Sequence, residues 1–317
     1  MPPPLPPPSL RERNWATATA TVSTLAGNGT PGFADGQGTN AEFFYPCGVA
    51  VDGAGNVYVA DCDNNCIRKV SPSGLVSTLA GKYGGYADGQ GTDAAFGAPA
   101  GVVVDGAGNL YVADDRNNRI RKVSSSGLVS TLAGSGIAGY ADGQGILARF
   151  NRPLGVALDS TGSYLYVVEY MNVWIRRVNT ASGLVSTYTS NAFGSLRGVA
   201  VDADGIVYLA DQSGNSIQVI SLSGSVSTLR FTAPCGVAVD SVGNLWVADT
   251  SSNSIRVVVK ASSSVIVLAG NGSALYADGQ GTTSASFNTP IGIAVDAAGN
   301  AFVADTLNHR IRALTFS

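Results

Sequence analysis

A closed all-β ring, a six-bladed β-propeller with four antiparallel strands per blade, is the fold this sequence predicts. Three observations predict it. A four-strand unit recurs six times, its first two strands are apolar on both faces, and the last copy lacks a fourth strand that stands at the other end of the chain.

The unit is clearest between Pro46 and Gly81, where four short apolar runs alternate with turn residues. The runs are Gly48–Asp52, Asn56–Asp61, Cys66–Val70 and Leu75–Leu79, rich in Val, Ile, Tyr and Thr as strands are. Gly53–Gly55, Asp63–Asn65 and Pro72–Gly74 separate them with turn chemistry. Four strands repeated round a chain read as propeller blades. The copies align on Gly48, Gly101, Gly155, Gly198, Gly236 and Gly292, at intervals of 53, 54, 43, 38 and 56 residues. In each, the second strand ends in a carboxylate (Asp61, Asp114, Glu169, Asp211, Asp249, Asp305), and an Ile follows six residues later.

Runs such as Val102–Val104 and Leu110–Ala113 are apolar at every position, which implies burial on both faces. Blades stacked on two neighbours satisfy this, so the core is expected at the blade interfaces. After Asp305 the last copy has only a third strand, whereas Thr21–Gly27 matches a fourth strand with no first three before it. The N-terminal strand is therefore expected to pair with Arg310–Leu314 and close the ring.

Four of the six connections into a blade carry a long insert: Gly32–Gly38 with Phe43, Tyr86–Gly91 with Phe96, Tyr140–Gly145 with Phe150, and Tyr276–Gly281 with Phe287. Strand direction puts these inserts on the same face as the Asp-x-x-Asn turns, and long loops on one side of a scaffold are where function concentrates. Their Tyr or Phe and closing Phe are expected to anchor the insert on the blades. They are not calcium loops, since each offers one Asp and one Gln, and not phosphate loops, since no Lys follows and no helix opens.

Net charge is −3 and charged residues are 13 % of the chain, a poor match to a phosphate backbone. No apolar run reaches the roughly 18 to 20 residues that span a bilayer. Residues 1–17, with a Pro-rich start, are read as a solvated tail without the form of a secretory signal. The propeller is expected over residues 18–317, in a monomer, and the absence of targeting signals leans toward the cytoplasm. The four cysteines do not make a disulfide framework in a chain this long. Cys47 is expected opposite Asp61 and near Cys62, with thiols preferred to a local bridge.

The last copy, Pro290–Arg312, with Asn308-His309 followed by Ile311, and the Tyr-Ala-Asp-Gly inserts resemble the NHL-repeat family over about residues 18–317. The resemblance implies a six-bladed propeller in a family of mostly recognition modules, sometimes RNA-binding and sometimes lyases. His occurs only at His309, with Asn65, Asn118, Val173, Asn215 and Asn253 at the same place in other copies. Fold does not fix function.

The ring of second-strand carboxylates is read as structural, each accepting hydrogen bonds from its own turn, because a ligand site would be asymmetric. So is the ring Asp52, Asp105, Asp159, Asp202, Asp240 and Asp296 at the first hairpin. Asymmetry appears in the third blade, where Glu169–Trp174 reads Glu-Tyr-Met-Asn-Val-Trp, at Arg197, and in the second blade at Asp115, Arg116 and Arg119. Aromatics and arginines clustered on a loop face have the composition of a protein-binding hot spot. The candidate partner-binding set is Glu169, Tyr170, Trp174, Arg197, Arg116, Arg119, His309 and Arg310. The competing reading packs Trp174 under an insert and pairs Glu169 with Arg197.

Catalysis has few residues to draw on: one His and three Glu. A multi-histidine metal site is excluded on that count, and no Ser-His-Asp logic is found beyond the lone His309. No catalytic residue, cofactor or metal is assigned. The leading expectation is a non-catalytic module binding a protein, peptide or glycan through the long-loop face. The alternatives are an enzyme of lyase or hydrolase type at the channel mouth, depending on Glu169, and RNA binding through Arg116, Arg119, Arg149, Arg152, Arg197 and Arg310.

Overall fold

The computed structural model describes residues 10, 13–15, 17–189, 191 and 193–316. Six sheets surround a central channel, one per sequence copy. From the channel outward the first blade runs Pro46–Val51, Val57–Asp61, Cys66–Val70, Leu75–Ala80. The second runs Pro99–Val104, Leu110–Asp114, Arg119–Val123, Leu128–Ala133, and the third Pro153–Leu158, Tyr164–Glu169, Ile175–Asn179, Leu184–Thr189. The fourth is Leu196–Val201, Val207–Asp211, Ser216–Ile220, Val226–Arg230, and the fifth Gly236–Val239, Leu245–Asp249, Ser254–Val258, Val265–Ala269. The sixth joins Pro290–Val295, Ala301–Asp305 and Arg310–Phe316 to Ala20–Ala26. In that seam Thr21 faces Thr315, Val22 faces Leu314 and Thr24 faces Arg312, antiparallel, so the two ends of the propeller sequence share one blade.

The cores lie between blades. One cluster combines Val49 and Val59 of the first blade with Ala304 and Ile311 of the sixth. Another combines Tyr111 and Ile120 of the second with Leu165 and Val167 of the third. The aligning glycines mark where inner strands approach most closely. A Cβ on Gly48 would sit 2.3 Å from the Ala100 carbonyl oxygen, and one on Gly101 2.3 Å from that of Leu154. Any side chain there would force neighbouring blades apart.

Four blades have a fifth strand, where the sequence suggested only loops. Gly36–Gln37, Gly89–Gln90, Gly143–Gln144 and Gly279–Gln280 pair with the outer strands of the first, second, third and sixth blades. An outer strand leaves a row of backbone donors and acceptors unpaired, and the insert satisfies part of that row. The fourth and fifth blades have four strands.

Of the segment read as a solvated tail, residues 1–9, 11, 12 and 16 lie outside the described residues. Leu10, Arg13 and Trp15 are buried rather than solvated. The Trp15 ring meets Trp246 edge-on at 5.4 Å and Phe316 at 5.8 Å, and Arg13 donates to the Gly299 carbonyl at 3.0 Å. Among the described residues no helix is long and apolar enough to cross a membrane.

Candidate functional site

The loop face is built from three kinds of contact, and the outermost holds the inserts down. Arg68, Arg121, Arg176 and Arg312, each directly after the third-strand Ile, are fully buried. Each bridges the second-strand carboxylate of its blade and the Asp of its insert. Arg121 donates Nη1 to Asp114 at 2.8 Å and to the Ala95 carbonyl at 2.9 Å, and Nη2 to Asp88 at 2.6 Å and the Ala87 carbonyl at 2.7 Å. Arg68 repeats this with Asp61 and Asp35, Arg176 with Glu169 and Asp142, and Arg312 with Asp305 and Asp278. The insert aromatic covers the guanidinium, with Tyr86 4.9 Å from that of Arg121 and Tyr276 4.9 Å from that of Arg312. The closing Phe43, Phe96, Phe150 and Phe287 are buried between blades, as expected of anchors. These arginines were visible in the sequence as Ile-Arg pairs; nothing local showed that their partners lie about 33 residues upstream.

The carboxylate ring is structural. Asp61 accepts from the Phe44 amide at 2.8 Å and from Asn64 at 2.9 Å, besides Arg68. Burial pushes its pKa up to about 6, against the lowering by Arg68 and Asn64. Burial raises Asp114, Glu169 and Asp305 in the same way. In the second ring, burial of Asp52 is outweighed by hydrogen bonds from Asn56, Tyr58 and Ala54, which hold it below the usual range.

The second contact clasps each blade to the next. Asn65, Asn118, Asn215, Asn253 and His309 all have φ near +50°, a conformation Asn tolerates better than most residues. Their side chains accept the backbone N–H of Ala98, Arg152, Ala233, Thr289 and Tyr45, respectively, at the entrance to the following blade. His309 does this through Nδ1 at 3.2 Å, and burial followed by the charge of Arg310 lowers its pKa. Val173 has no acceptor to offer, so this clasp is missing between the third and fourth blades.

The third element is the channel mouth. The channel encloses about 340 Å³ lined by Val, Ala, Leu, Ile and Gly, with Cys47, Cys235 and Arg197. Among the described residues, Arg197 is the only charged side chain of that lining. Its Nε donates to Gln212 at 2.8 Å and its guanidinium lies 4.6 Å from the Tyr170 ring. Arg152 approaches the same ring at 5.2 Å while held bidentately by Asp115 at 2.8 and 2.7 Å. Beside them Met171 is 57 % exposed and Val173 42 %.

The candidate residues divide accordingly. Tyr170 and Arg197 come together at the mouth, and Arg116 is exposed nearby on the second-blade turn. Glu169 is buried in the insert anchor, bonded to the Asn151 amide at 2.6 Å, Asn172 at 2.7 Å and Arg176 at 3.3 Å, and does not pair with Arg197. Trp174 packs edge-on against Tyr140 at 4.3 Å, under the third insert. Arg119 and Arg310 stack at 3.6 and 3.7 Å on Tyr86 and Tyr276, and donate to the Ser135 and Asn28 carbonyls at 2.9 and 2.5 Å. These three side chains hold inserts, and His309 holds a blade entrance. Sequence reasoning named Arg152 only among the arginines of the RNA-binding alternative and missed its pairing with Asp115 beside the Tyr170 ring.

The four cysteines are thiols. A β-bulge puts Pro46 rather than Cys47 opposite Asp61. A hydrogen bond to Cys47, then burial, pushes the Cys62 thiol well above its ordinary value, and burial raises Cys235. Neither is poised as a thiolate nucleophile. Among the described residues, no group of three His, Cys, Asp or Glu side chains is placed to hold a metal ion.

Fold and repeats define the class: this is a six-bladed β-propeller that carries NHL repeats in three of its blades. A family profile described as NHL repeat matches residues 43–70, 96–123 and 287–314, the first, second and sixth blades. The chain is 27 % identical over 316 residues to Protein SUPPRESSOR OF QUENCHING 1, chloroplastic, of Arabidopsis thaliana, covering 84 % of this chain and 30 % of that protein. It is 30 % identical over 155 residues to NHL repeat-containing protein 2 of Bos taurus, covering 41 % of this chain and 21 % of the relative. The chain thus spans less than a third of the curated relatives it matches. Among solved structures, it resembles a Bacteroides thetaiotaomicron protein of unknown function (TM-score 0.74, 22 % identity, 94 % of this chain and 76 % of that one). It also resembles a streptogramin B lyase (TM-score 0.61, 14 % identity, 96 % and 100 %). At these identities the structures show the fold alone.

Proposed function

We propose that the chain is a binding module that takes a protein or peptide partner on its insert-bearing face, at the channel mouth beside the third blade. The observation that carries this reading is Tyr170 flanked by Arg152 and Arg197, next to the exposed Met171 and Val173. A ring edged by guanidinium groups and bordered by exposed apolar side chains is the make-up of an interface centre. The apolar channel beneath provides room for one inserted side chain. A glycan is less well served, since carboxylates and amides able to fix hydroxyls are mostly engaged in turns. The enzyme reading depends on Glu169, whose carboxylate is buried and occupied by Asn151, Asn172 and Arg176. RNA binding is weakened because Arg119, Arg152 and Arg310 are already committed within the protein.

The test is a peptide array probed with the intact chain and with the Tyr170→Ala/Arg197→Ala double variant. The expected result is a set of peptides bound by the former and lost in the latter, with melting temperatures within about 3 °C. An identical set bound by both proteins would refute the proposal.

A further inference from the structure

The geometry points to a second docking site, on the rim rather than the mouth: the outer edge of the fifth blade takes an extended peptide of the form aromatic-Ala-Asp-Gly from a partner protein. It does not depend on the function proposed above, because the two surfaces lie at opposite radii of the ring.

In four blades the buried third-strand arginine owes most of its hydrogen bonds to the insert. For Arg121 these are the bonds to the Ala87 and Ala95 carbonyls and to Asp88, leaving only Asp114 from its own blade. The fifth blade keeps the arginine, Arg256, and its second-strand carboxylate, Asp249, joined through Nε at 2.9 Å. It has no insert. The Arg256 side chain is accordingly 26 % exposed where its four counterparts are fully buried, and among the described residues no carboxylate or ring meets the far side of its fork.

The strand beside it is open in the same way. Among the described residues, Val265–Ala269 pairs with Ser254–Val258 on one side only. Val267 stands where Thr78 and Thr131 stand, and the amides of those residues donate to the insert aspartates Asp35 and Asp88 at 3.1 Å. Val265 and Val267 are 45 % and 41 % exposed, so the uncovered strand is also an exposed β-branched one. An exposed apolar edge strand is a template for strand addition. An acidic group two residues after an aromatic ring would complete the Arg256 fork as the inserts do in cis.

The probe is the octapeptide Gly-Gly-Tyr-Ala-Asp-Gly-Gln-Gly, the sequence of residues 84–91, titrated into the full chain while amide resonances are followed. Saturable shifts are expected at Val265 and Val267. Changing the peptide Asp to Asn should weaken binding about tenfold or more, the worth of a charge-assisted bond. Arg256→Gln should do the same without unfolding the protein, since Gln218 occupies this position in the fourth blade. No shift at these amides up to millimolar peptide would overturn the proposal, and so would equal affinity for wild type and Arg256→Gln.

Discussion

Replacing Arg121 by Ala should destabilise the propeller far more than replacing its insert partner Asp88. The guanidinium is fully buried against Asp114, itself fully buried, whereas Asp88 is close to half exposed. Removing one member of a buried pair strands the other, at about 3–5 kcal/mol. The Ala87 and Ala95 carbonyls each lose a donor, at about 1 kcal/mol if water enters beside Asp88. The sum is about 5–7 kcal/mol, or roughly 10–25 °C in melting temperature for a domain of this size. Asp88→Ala removes one solvent-screened pair and the bonds from the Thr131 amide and hydroxyl, about 1 kcal/mol in all. Calorimetry of the two variants and of wild type reads both numbers. Equal shifts would show that the buried half of the anchor is not what holds the insert, and the account of the rim would fail with it.

Acidification should reveal Asp61. Its folded pKa of about 6 lies above that of an unfolded carboxylate, so its ionisation penalises folding above pH 6. That penalty is relieved as pH falls from 6 toward 4. Asp61→Asn strands the buried Arg68 and should be less stable than wild type, by most at pH 4 and by least at pH 7, where the wild type also carries the ionisation penalty. A difference in melting temperature that stays constant across that range would contradict the assignment. Below pH 4 the trend reverses, as Asp52 and Asp105, held low by their turn hydrogen bonds, take up protons. Truncation should rank by packing: removing residues 1–9 costs least, removing 1–15 costs more through loss of the Trp15–Trp246 contact, and removing 1–27 costs most by deleting a whole strand of the sixth blade. Equal melting temperatures for the first and last would refute ring closure through the N-terminal strand.

The part of this molecule that repeats is legible from its amino-acid order. Strand composition, turn residues and the aligning glycines are local signals recorded six times, so blade number, closure and the structural nature of both carboxylate rings were all readable. The location of the core between blades also followed, from strands apolar on both faces. The roles of single residues emerge in three dimensions, because they depend on what lies across a blade interface. Glu169, Trp174, Arg119 and Arg310 look like an asymmetric surface in one dimension, yet each fastens an insert: Glu169 and Trp174 that of the third blade, Arg119 that of the second and Arg310 that of the sixth. The same folding brings Tyr170 and Arg197 together at the channel mouth and leaves Arg256 half-dressed at the rim. Sequence distance carries no information about either, since contacts made by a closed ring join residues that the chain keeps far apart.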